Sequence, residues 1–312
     1  MNLKPSQNIQ LYGMNNFFNE ITKLYNADKM PTKILLSGKK GLGKSTLAYH
    51  IINYFLSNTE DSKYDSKNFT INKENRSFKL LLNNSHPNFY LVDLLNDKKN
   101  IDVAQIREMI TYTTKSTFNN KSRFILIDNI ENLNKNSINA LLKIIEEPNE
   151  NLFFILINNN EKYILPTLKS RCLTFKINFT FNQSIDVSNK ILNQNIFELI
   201  NPDLINYYNT PGEIINLINF SLDKNINLID YKLTDFLNLL IDNGYYKKNK
   251  VVKNLLVNFI ELFFLKEYKL RKTKKSLLKF YHNFITKIHN TEKFNLDEES
   301  LFLEFKSKLL NG

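Results

Sequence analysis

The chain has 312 residues, of which 42% are hydrophobic and 23% charged, a composition typical of folded proteins with about two domains rather than of disordered chains. Its single cysteine, Cys172, excludes an internal disulfide framework and any zinc site built from several cysteines. The formal net charge of +11 is compatible with nucleic-acid binding, but only five of the 42 basic residues are arginines. The many lysines and asparagines indicate a coding bias, so the charge alone does not predict a partner.

The N-terminal 14 residues are polar, so we expect no signal peptide. The longest apolar stretch, residues 251–265, is interrupted by polar residues including Lys253 and Glu261, and it falls short of the roughly 18 apolar residues that span a bilayer. We therefore expect a cytoplasmic protein with no membrane partner.

Residues 30–178 alternate short β-rich runs with helical patterns, which predicts an α/β fold with a parallel sheet. The apolar stripe from Ile138 to Ile145 predicts a helix that ends before Pro148, and Asp102 with Gln105 predicts a capping box on an earlier helix. Residues 59–85 are polar and lack periodicity, so we expect an insertion or a mobile loop there. The five predicted strands are Lys33–Ser37, Phe89–Asp93, Phe124–Asp128, Leu152–Asn158 and Leu173–Ile177.

A phosphate-binding motif, G-x-x-x-x-G-K-S, lies between the first strand and the next helix, at residues 38–45. Glycines let backbone N–H groups curl around phosphate oxygens, and the helix N-terminus adds a positive dipole end. We expect Lys44 to contact the β- and γ-phosphates and Ser45 to ligate Mg²⁺. A turn that binds nothing is disfavoured, because three of only seven glycines cluster here. The predicted nucleotide-binding residues of the motif are Gly38, Gly41, Gly43, Lys44, Ser45 and Thr46.

The strand Phe124–Asp128 ends in a carboxylate, the Walker B pattern, and Asp128 is expected to steady Mg²⁺. ATP-hydrolysing P-loop motors usually carry a glutamate next, as the base that polarises the attacking water. This chain has Asn129 there, and an amide cannot take up a proton. We expect Glu131 to be a solvated residue at a helix start rather than a replacement base.

Two segments resemble the AAA+ clamp-loader family: residues 139–148, NALLKIIEEP, and residues 165–172, LPTLKSRC. The resemblance covers about residues 8–178. Ser85-His86-Pro87, the Asp-Asn pair at 128–129 and the sequence FNLD at 294–297 resemble the delta-prime branch of the bacterial DNA polymerase III clamp loaders. The resemblance implies an AAA+ P-loop domain at 1–178, a helical lid domain at 179–244 and an all-α C-terminal oligomerisation (collar) domain at 245–312.

The resemblance also assigns roles to single residues. Arg171 of the Ser-Arg-Cys motif is expected to be an arginine finger that acts in trans, on the ATP site of a neighbouring subunit. Asn158, followed by Asn159, occupies the position that senses the γ-phosphate, and Glu213 stands where motor subunits carry a lid arginine. Cys172 is expected to be a small buried apolar residue. Residues 59–85 contain no cysteine, so we expect no zinc.

The implied function is that of a delta-prime-type subunit in ATP-dependent loading of the sliding clamp, with bound ATP and Mg²⁺ and weak or absent ATPase activity of its own. The implied partners are the tau/gamma and delta subunits, primer–template DNA and, indirectly, the sliding clamp. The main alternative is an ATP-hydrolysing tau/gamma-type motor, which would carry Asp-Glu, a lid arginine and zinc cysteines. A small-molecule P-loop kinase is disfavoured, because such enzymes need no Ser-Arg-Cys segment. The basic run at residues 266–275 is expected to be a solvated helix connector rather than a DNA contact.

Overall fold

The computed structural model describes residues 4–95, 98–115, 121–146, 151–247, 249–270, 275–294 and 296–310. The strands are β1 (Lys33–Ser37), β2 (Phe89–Val92), β3 (Arg123–Ile127), β4 (Leu152–Asn158) and β5 (Leu173–Lys176). The helices are α1 (Asn15–Asn26), α2 (Lys44–Leu56), α3 (Arg76–Leu82), α4 (Val103–Thr114), α5 (Lys135–Glu146), α6 (Pro166–Lys169), α7 (Phe181–Leu192), α8 (Pro211–Lys224), α9 (Leu233–Asp242), α10 (Lys250–Leu270), α11 (Lys275–Phe294) and α12 (Glu299–Phe305).

The five strands form one parallel sheet in the order β2-β3-β4-β1-β5. This confirms the predicted α/β class, and every strand agrees with its prediction to within one residue at each end. The carboxyl ends of parallel strands meet at one edge of the sheet, where ligands bind in such folds. Ser37 at the end of β1 is in register with Asn158 at the end of β4, and Asp93 and Asp128 directly follow β2 and β3.

The core consists of two apolar layers, one on each face of the sheet. On one face Phe55 of α2 stacks on Phe124 of β3, with ring centroids 5.4 Å apart. On the other face α4 and α5 bury Met109 and Leu141 completely. Because the central strands are covered on both sides, they are apolar at nearly every position, which made them visible as continuous apolar runs.

Residues 59–85 are not the mobile loop that was one of the two expectations for this segment, and the other, an insertion, stays a prediction. They contain α3, and Tyr64 and Phe78 are buried against the α2 side of the core. Asn75 caps α3 by accepting a hydrogen bond from the N–H of Phe78 at 2.8 Å. The carboxylate of Glu60 accepts further bonds from the N–H groups of Arg76 (2.8 Å) and Ser77 (3.0 Å). Polar residues of this segment therefore cap a packed helix. Capping residues do not recur at regular spacing, so the sequence showed no helical periodicity here.

The predicted capping box at the start of α4 is confirmed. The Oε1 atom of Gln105 accepts a hydrogen bond from the backbone N–H of Asp102 at 3.1 Å. The Nε2 atom of Gln105 also donates to the carbonyl oxygen of Asp93 at 2.9 Å. The cap thus fixes the backbone that follows β2, at the edge of the sheet where the polar residues gather.

The chain divides into two compact units: residues 1–191 with 210–212, and residues 192–209 with 213–312. The strands of the described residues all lie in the first unit, and the second is helical in the parts that the structure describes. The predicted division at residues 178 and 244 stays a prediction. No helix among the described residues is long and apolar enough to cross a membrane.

The basic run at residues 266–275 is described only in part, because residues 271–274 lie outside the described residues. Lys266, near the end of α10, differs from the expectation of a solvated run. Its Nζ atom donates to the carbonyl oxygen of Asp203 at 2.7 Å and pairs with the carboxylate of the same residue. Of the motifs above, Glu147, Pro148 and Asn295 also lie outside the described residues.

His50 makes the first unit sensitive to acid. Its side chain on α2 is completely buried, with Nδ1 2.9 Å from the Tyr64 hydroxyl and Nε2 3.0 Å from the carbonyl oxygen of Asn8. Burial lowers the pKa of His50 from 6.5 to about 4. The unfolded chain therefore binds this proton first, so the stabilisation is complete above about pH 6.5 and is lost as the pH falls toward 4.

We expect wild-type protein to lose about 2 kcal/mol more unfolding free energy than His50→Gln between pH 7 and pH 5. Urea unfolding followed by far-UV circular dichroism at the two pH values measures the difference. An equal loss in both proteins would show that His50 does not remain neutral in the folded state.

Candidate functional site

The loop between β1 and α2 has the backbone that a phosphate cradle requires. Gly41 and Gly43 have φ angles of 84° and 88°, in the left-handed region where a side chain is strained. Gly43 is also the N-cap of α2, so the first N–H groups of that helix lie next to the loop. A Cβ atom at Gly38 would come within 2.2 Å of the carbonyl oxygen of Ile177, so this position also excludes any larger residue. The geometry explains why all three glycines of the motif are glycines.

Lys44 lies in the loop with its ammonium group folded back over the backbone. Its side chain is almost fully buried, and Nζ donates to the carbonyl oxygen of Lys39 at 2.7 Å. Burial lowers the pKa of Lys44 to about 8, while the negative charges of Asp128 and Glu131 oppose that shift. The ammonium form still predominates at pH 7, and a poorly solvated positive charge is a strong partner for phosphate oxygens.

Ser45 and Asp128, the two residues expected to hold Mg²⁺, are in direct contact. The Ser45 hydroxyl donates a short hydrogen bond to Oδ2 of Asp128, which follows β3. Burial, together with the neighbouring carboxylate of Asp93, raises the pKa of Asp128 to about 6. A hydroxyl and a carboxylate are the hard oxygen ligands that Mg²⁺ prefers, with phosphate and water in the other positions. Among the described residues no group of three or more His, Cys, Asp or Glu side chains forms a self-sufficient metal site.

Asn129 occupies the position of the catalytic base and is fixed at both ends. Its backbone is left-handed, with a φ of 56°. Its Nδ2 donates to Oδ1 of Asp93 at 2.7 Å, and its Oδ1 accepts from Nδ2 of Asn159 at 2.8 Å. Asp93 uses the same oxygen to accept from the N–H of Leu94 at 2.7 Å. A chain of hydrogen bonds therefore joins the ends of β2, β3 and β4.

Glu131 corrects the expectation of a solvated residue. It is only 6% exposed, and both of its carboxylate oxygens lie 3.2 Å from the backbone N–H of Asn159. The physical reason is the left-handed turn at Asn129, which starts a short 3₁₀ turn and folds the next residues under the end of β4. The carboxylate is therefore committed to the backbone of a neighbouring strand.

The two asparagines at the end of β4, Asn158 in the strand and Asn159 directly after it, have different surroundings. Asn158 is buried, and its Nδ2 donates to Oδ1 of Asn160 at 2.7 Å and to the Ser37 hydroxyl at 3.3 Å. The hydrogen-bond chain of Asn129 includes Asn159 and not Asn158. Thr46, which is also predicted to bind nucleotide, accepts a hydrogen bond from Nδ2 of Asn8 at 3.4 Å. The roles predicted for Asn158 and Thr46 stay predictions.

The segment Thr210–Gly212, at the start of α8, lies directly on the phosphate loop. The N–H of Gly212 donates to the carbonyl oxygen of Gly41 at 2.9 Å. A Cβ atom on Gly212 would come within 2.6 Å of the Cα atom of Gly41, and one on Gly41 within 2.4 Å of the Thr210 hydroxyl oxygen. This close approach of two backbones places the start of α8 beside the cradle.

Arg171 lies on the surface, away from the loop, in the connection between α6 and β5. Its Nη2 atom pairs with Oε1 of Glu146 at 2.7 Å, and its Nη1 donates to the carbonyl oxygen of Thr167 at 2.8 Å. The structure therefore does not bring Arg171 together with Lys44 or Asp128. Cys172, next to it, is half-buried, and burial raises the pKa of its thiol to about 11, which makes the thiol unreactive.

The side chain of Glu213, on α8, is held within the second unit. Its carboxylate accepts hydrogen bonds from Nδ2 of Asn209 at 3.4 Å and from Nδ2 of Asn258 at 3.3 Å. The expectation that Glu213 replaces a lid arginine stays a prediction.

Three residues of this region escaped sequence reasoning. Asp93 could have been found, because it follows a predicted strand as Asp128 does, and strand ends meet at one edge. Glu146 lies in the segment 139–148 that carries the resemblance, but neither its contact with Arg171 nor that of Gly212 with Gly41 has a local signal, because each joins residues far apart in the chain.

Comparisons with known proteins give a consistent result. The family model described as DNA polymerase III, delta subunit, matches residues 13–180. The DNA polymerase III subunit delta' of Buchnera aphidicola subsp. Schizaphis graminum is 31% identical over 161 residues, 51% of this chain and 47% of that protein. The corresponding Bacillus subtilis subunit is 26% identical over 214 residues, 69% of this chain and 60% of that protein.

A second class of relative also matches. The DNA polymerase III subunit gamma of the same Buchnera strain is 30% identical over 184 residues, 58% of this chain and 48% of that protein. The chain spans about half the length of most of these curated relatives. Among solved structures, a DNA polymerase III gamma subunit-related protein from Thermotoga maritima aligns over 92% of this chain and 97% of its own, with 16% identity and a TM-score of 0.48.

We expect Gly212→Ala to destabilise the first unit by about 1–3 kcal/mol, because the new methyl group meets backbone that cannot rotate away. Urea unfolding measures the change. Asp223→Ala, at an exposed position of the same helix, is the matched control and should change stability by less than about 0.5 kcal/mol. Equal stability of Gly212→Ala and the control would mean that the two backbones are not in contact.

Proposed function

The chain belongs to the DNA polymerase III, delta subunit family, and from that premise we propose that it is a delta-prime-type subunit of the replicative clamp loader. It binds nucleotide without turning it over and supplies an arginine to a neighbouring ATPase subunit. The observation that carries this proposal is the amide of Asn129, fixed at both ends in the position of the base.

The phosphate loop fits a bound Mg²⁺–ATP. Gly41 and Gly43 have the positive φ angles of a cradle, and the buried ammonium of Lys44 supplies the positive charge. Ser45 and Asp128 offer a hydroxyl and a carboxylate for the metal ion. When bound, the nucleotide would supply the negative charge that these groups neutralise, which would order the loop and the adjacent start of α8.

Hydrolysis at this site lacks a base. An amide takes up no proton, and both ends of the Asn129 side chain are already hydrogen-bonded. Both carboxylate oxygens of Glu131 accept a hydrogen bond from the backbone N–H of Asn159. Asp93, a further carboxylate at this edge of the sheet, accepts hydrogen bonds from Asn129 and from the N–H of Leu94. The site is therefore built to bind nucleotide rather than to cleave it.

Arg171 is suited to act on another subunit. Its guanidinium is on the surface and does not contact the phosphate loop of its own chain. A guanidinium beside a γ-phosphate neutralises charge that develops in the transition state, and its planar fork can bind two oxygens at once. We therefore propose Arg171 as a trans arginine finger toward an adjacent tau/gamma-type subunit.

The remaining parts of the proposal follow from this place in the assembly. The direct partners are the tau/gamma and delta subunits, with primer–template DNA in the assembled complex and the sliding clamp as an indirect partner. The complex would act in the cytoplasm. A motor function of tau/gamma type is the second candidate, which the match to a gamma subunit favours and Asn129 opposes.

In the reconstituted clamp loader, we expect Arg171→Ala to lower ATP turnover at the neighbouring site at least tenfold, because fingers contribute on the order of 10³–10⁵ in rate. Lys44→Ala in this chain should leave turnover close to wild type. Steady-state phosphate release measures both, with gel filtration to confirm assembly. The proposal fails if Lys44→Ala abolishes turnover while Arg171→Ala leaves it unchanged.

For the isolated chain, we expect Lys44→Ala to weaken Mg²⁺–ATP binding about 10–100-fold, the effect of losing a charged hydrogen bond. Wild-type affinity should fall as the pH rises above about 8, because Lys44 then loses its charge. Isothermal titration calorimetry measures both effects. Lys143→Ala, an exposed lysine on α5, is the control, and an equal loss of affinity in this variant would point to a nonspecific charge effect.

A further inference from the structure

Arg171 is not a free surface side chain, because two groups of its own chain hold the guanidinium. Oε1 of Glu146 accepts from Nη2 at 2.7 Å, and the carbonyl oxygen of Thr167 accepts from Nη1 at 2.8 Å. These contacts occupy two of the five N–H donors of an arginine. The other donors are enough for a two-point contact with a phosphate group, so Arg171 can keep both contacts while it binds a further anion.

Both groups that hold Arg171 are attached to rigid parts of the first unit. Glu146 is the last residue of α5, a helix that buries Leu141 and Ile145 completely against the sheet. Thr167 belongs to α6, which is anchored by the buried Leu168. The direction of the guanidinium is therefore set by the core rather than by the flexible side chain itself.

The solvent exposure of the Arg171–Glu146 ion pair argues against a role in stabilising the fold. The side chains of Arg171 and Glu146 are 36% and 51% exposed, and ion pairs in that environment add little to the stability of a fold. If Glu146 prevented Arg171 from binding another group, it would cover the guanidinium. More than a third of the arginine side chain nevertheless remains accessible to solvent. The pair restricts the rotamers of Arg171 and leaves the charge available.

We propose that Glu146 is a positioning residue for Arg171, which fixes the guanidinium in the orientation that it uses toward an anionic phosphate group of a neighbouring subunit. This inference rests on the proposed function of Arg171 as a finger. Glu146 acts by accepting a hydrogen bond, because that contact sets the geometry. An acceptor of the same shape without charge should therefore serve almost as well.

The test uses the reconstituted clamp loader with Glu146→Ala, Glu146→Gln, Arg171→Ala and the double variant Glu146→Ala/Arg171→Ala. Steady-state ATPase assays give kcat and KM separately. We expect Glu146→Ala to lower kcat 3–10-fold with KM within twofold, because a finger contributes in the transition state. Glu146→Gln should recover at least half of the wild-type kcat. In the Arg171→Ala background, Glu146→Ala should have no further effect.

Lys143→Ala, on an exposed position of the same helix, is the matched control and should leave kcat unchanged. The inference is overturned if Arg171→Ala lowers kcat and Glu146→Ala does not, an outcome that leaves the finger itself intact. A kcat above wild type for Glu146→Ala would also overturn it, because the carboxylate would then restrain the arginine. An equal loss from Glu146→Ala with and without Arg171 would assign Glu146 to the fold instead. If Arg171→Ala has no effect, the proposed function and this inference fail together.

Discussion

Asn129 bridges the ends of three parallel strands, and the character of the site depends on this bridge. Its amide donates to Asp93 after β2 and accepts from Asn159 after β4, while its left-handed backbone turns the chain under the sheet. The amide satisfies the carboxylate of Asp93 at a polar edge of the sheet, next to the partly buried Asp128. A glutamate at this position would bring a further carboxylate to an edge that already holds Asp93, Asp128 and Glu131, and like charges repel. The bridge thus favours an amide for structural reasons, and an amide at this position cannot act as a base.

The phosphate loop and Arg171 lie in different parts of the first unit. The loop of Gly41, Gly43 and Lys44 has the geometry and charge for holding phosphate, and the start of α8 packs directly on it through Gly212. Arg171 lies on the surface, held by Glu146. In the proposed assembly, such a separation would let one chain respond to its own nucleotide while it contributes to the chemistry of its neighbour.

The sequence predicted those elements whose residues are constrained locally or at regular spacing. The strands were found because both faces of the sheet are buried, and the phosphate loop because glycine alone fits its backbone. The expectation of a mobile loop at 59–85 was wrong. Glu60 and Asn75 cap a helix there, and capping residues do not recur at regular spacing in the sequence. Glu131 was judged solvated, because the left-handed turn that buries it is set by tertiary hydrogen bonds. The contact of Arg171 with Glu146 joins residues 25 positions apart, across a segment whose spacing carries no signal.

The most direct measurement is the fate of ATP bound to the isolated chain. Purified protein is mixed with a substoichiometric amount of radiolabelled Mg²⁺–ATP, and the bound nucleotide is separated and identified over time. A site with an amide in place of the base should retain the label as ATP for many minutes. Conversion of the bound ATP to ADP at about 1 s⁻¹ or faster, within the range of ordinary enzymes, would contradict the central claim and indicate a motor subunit.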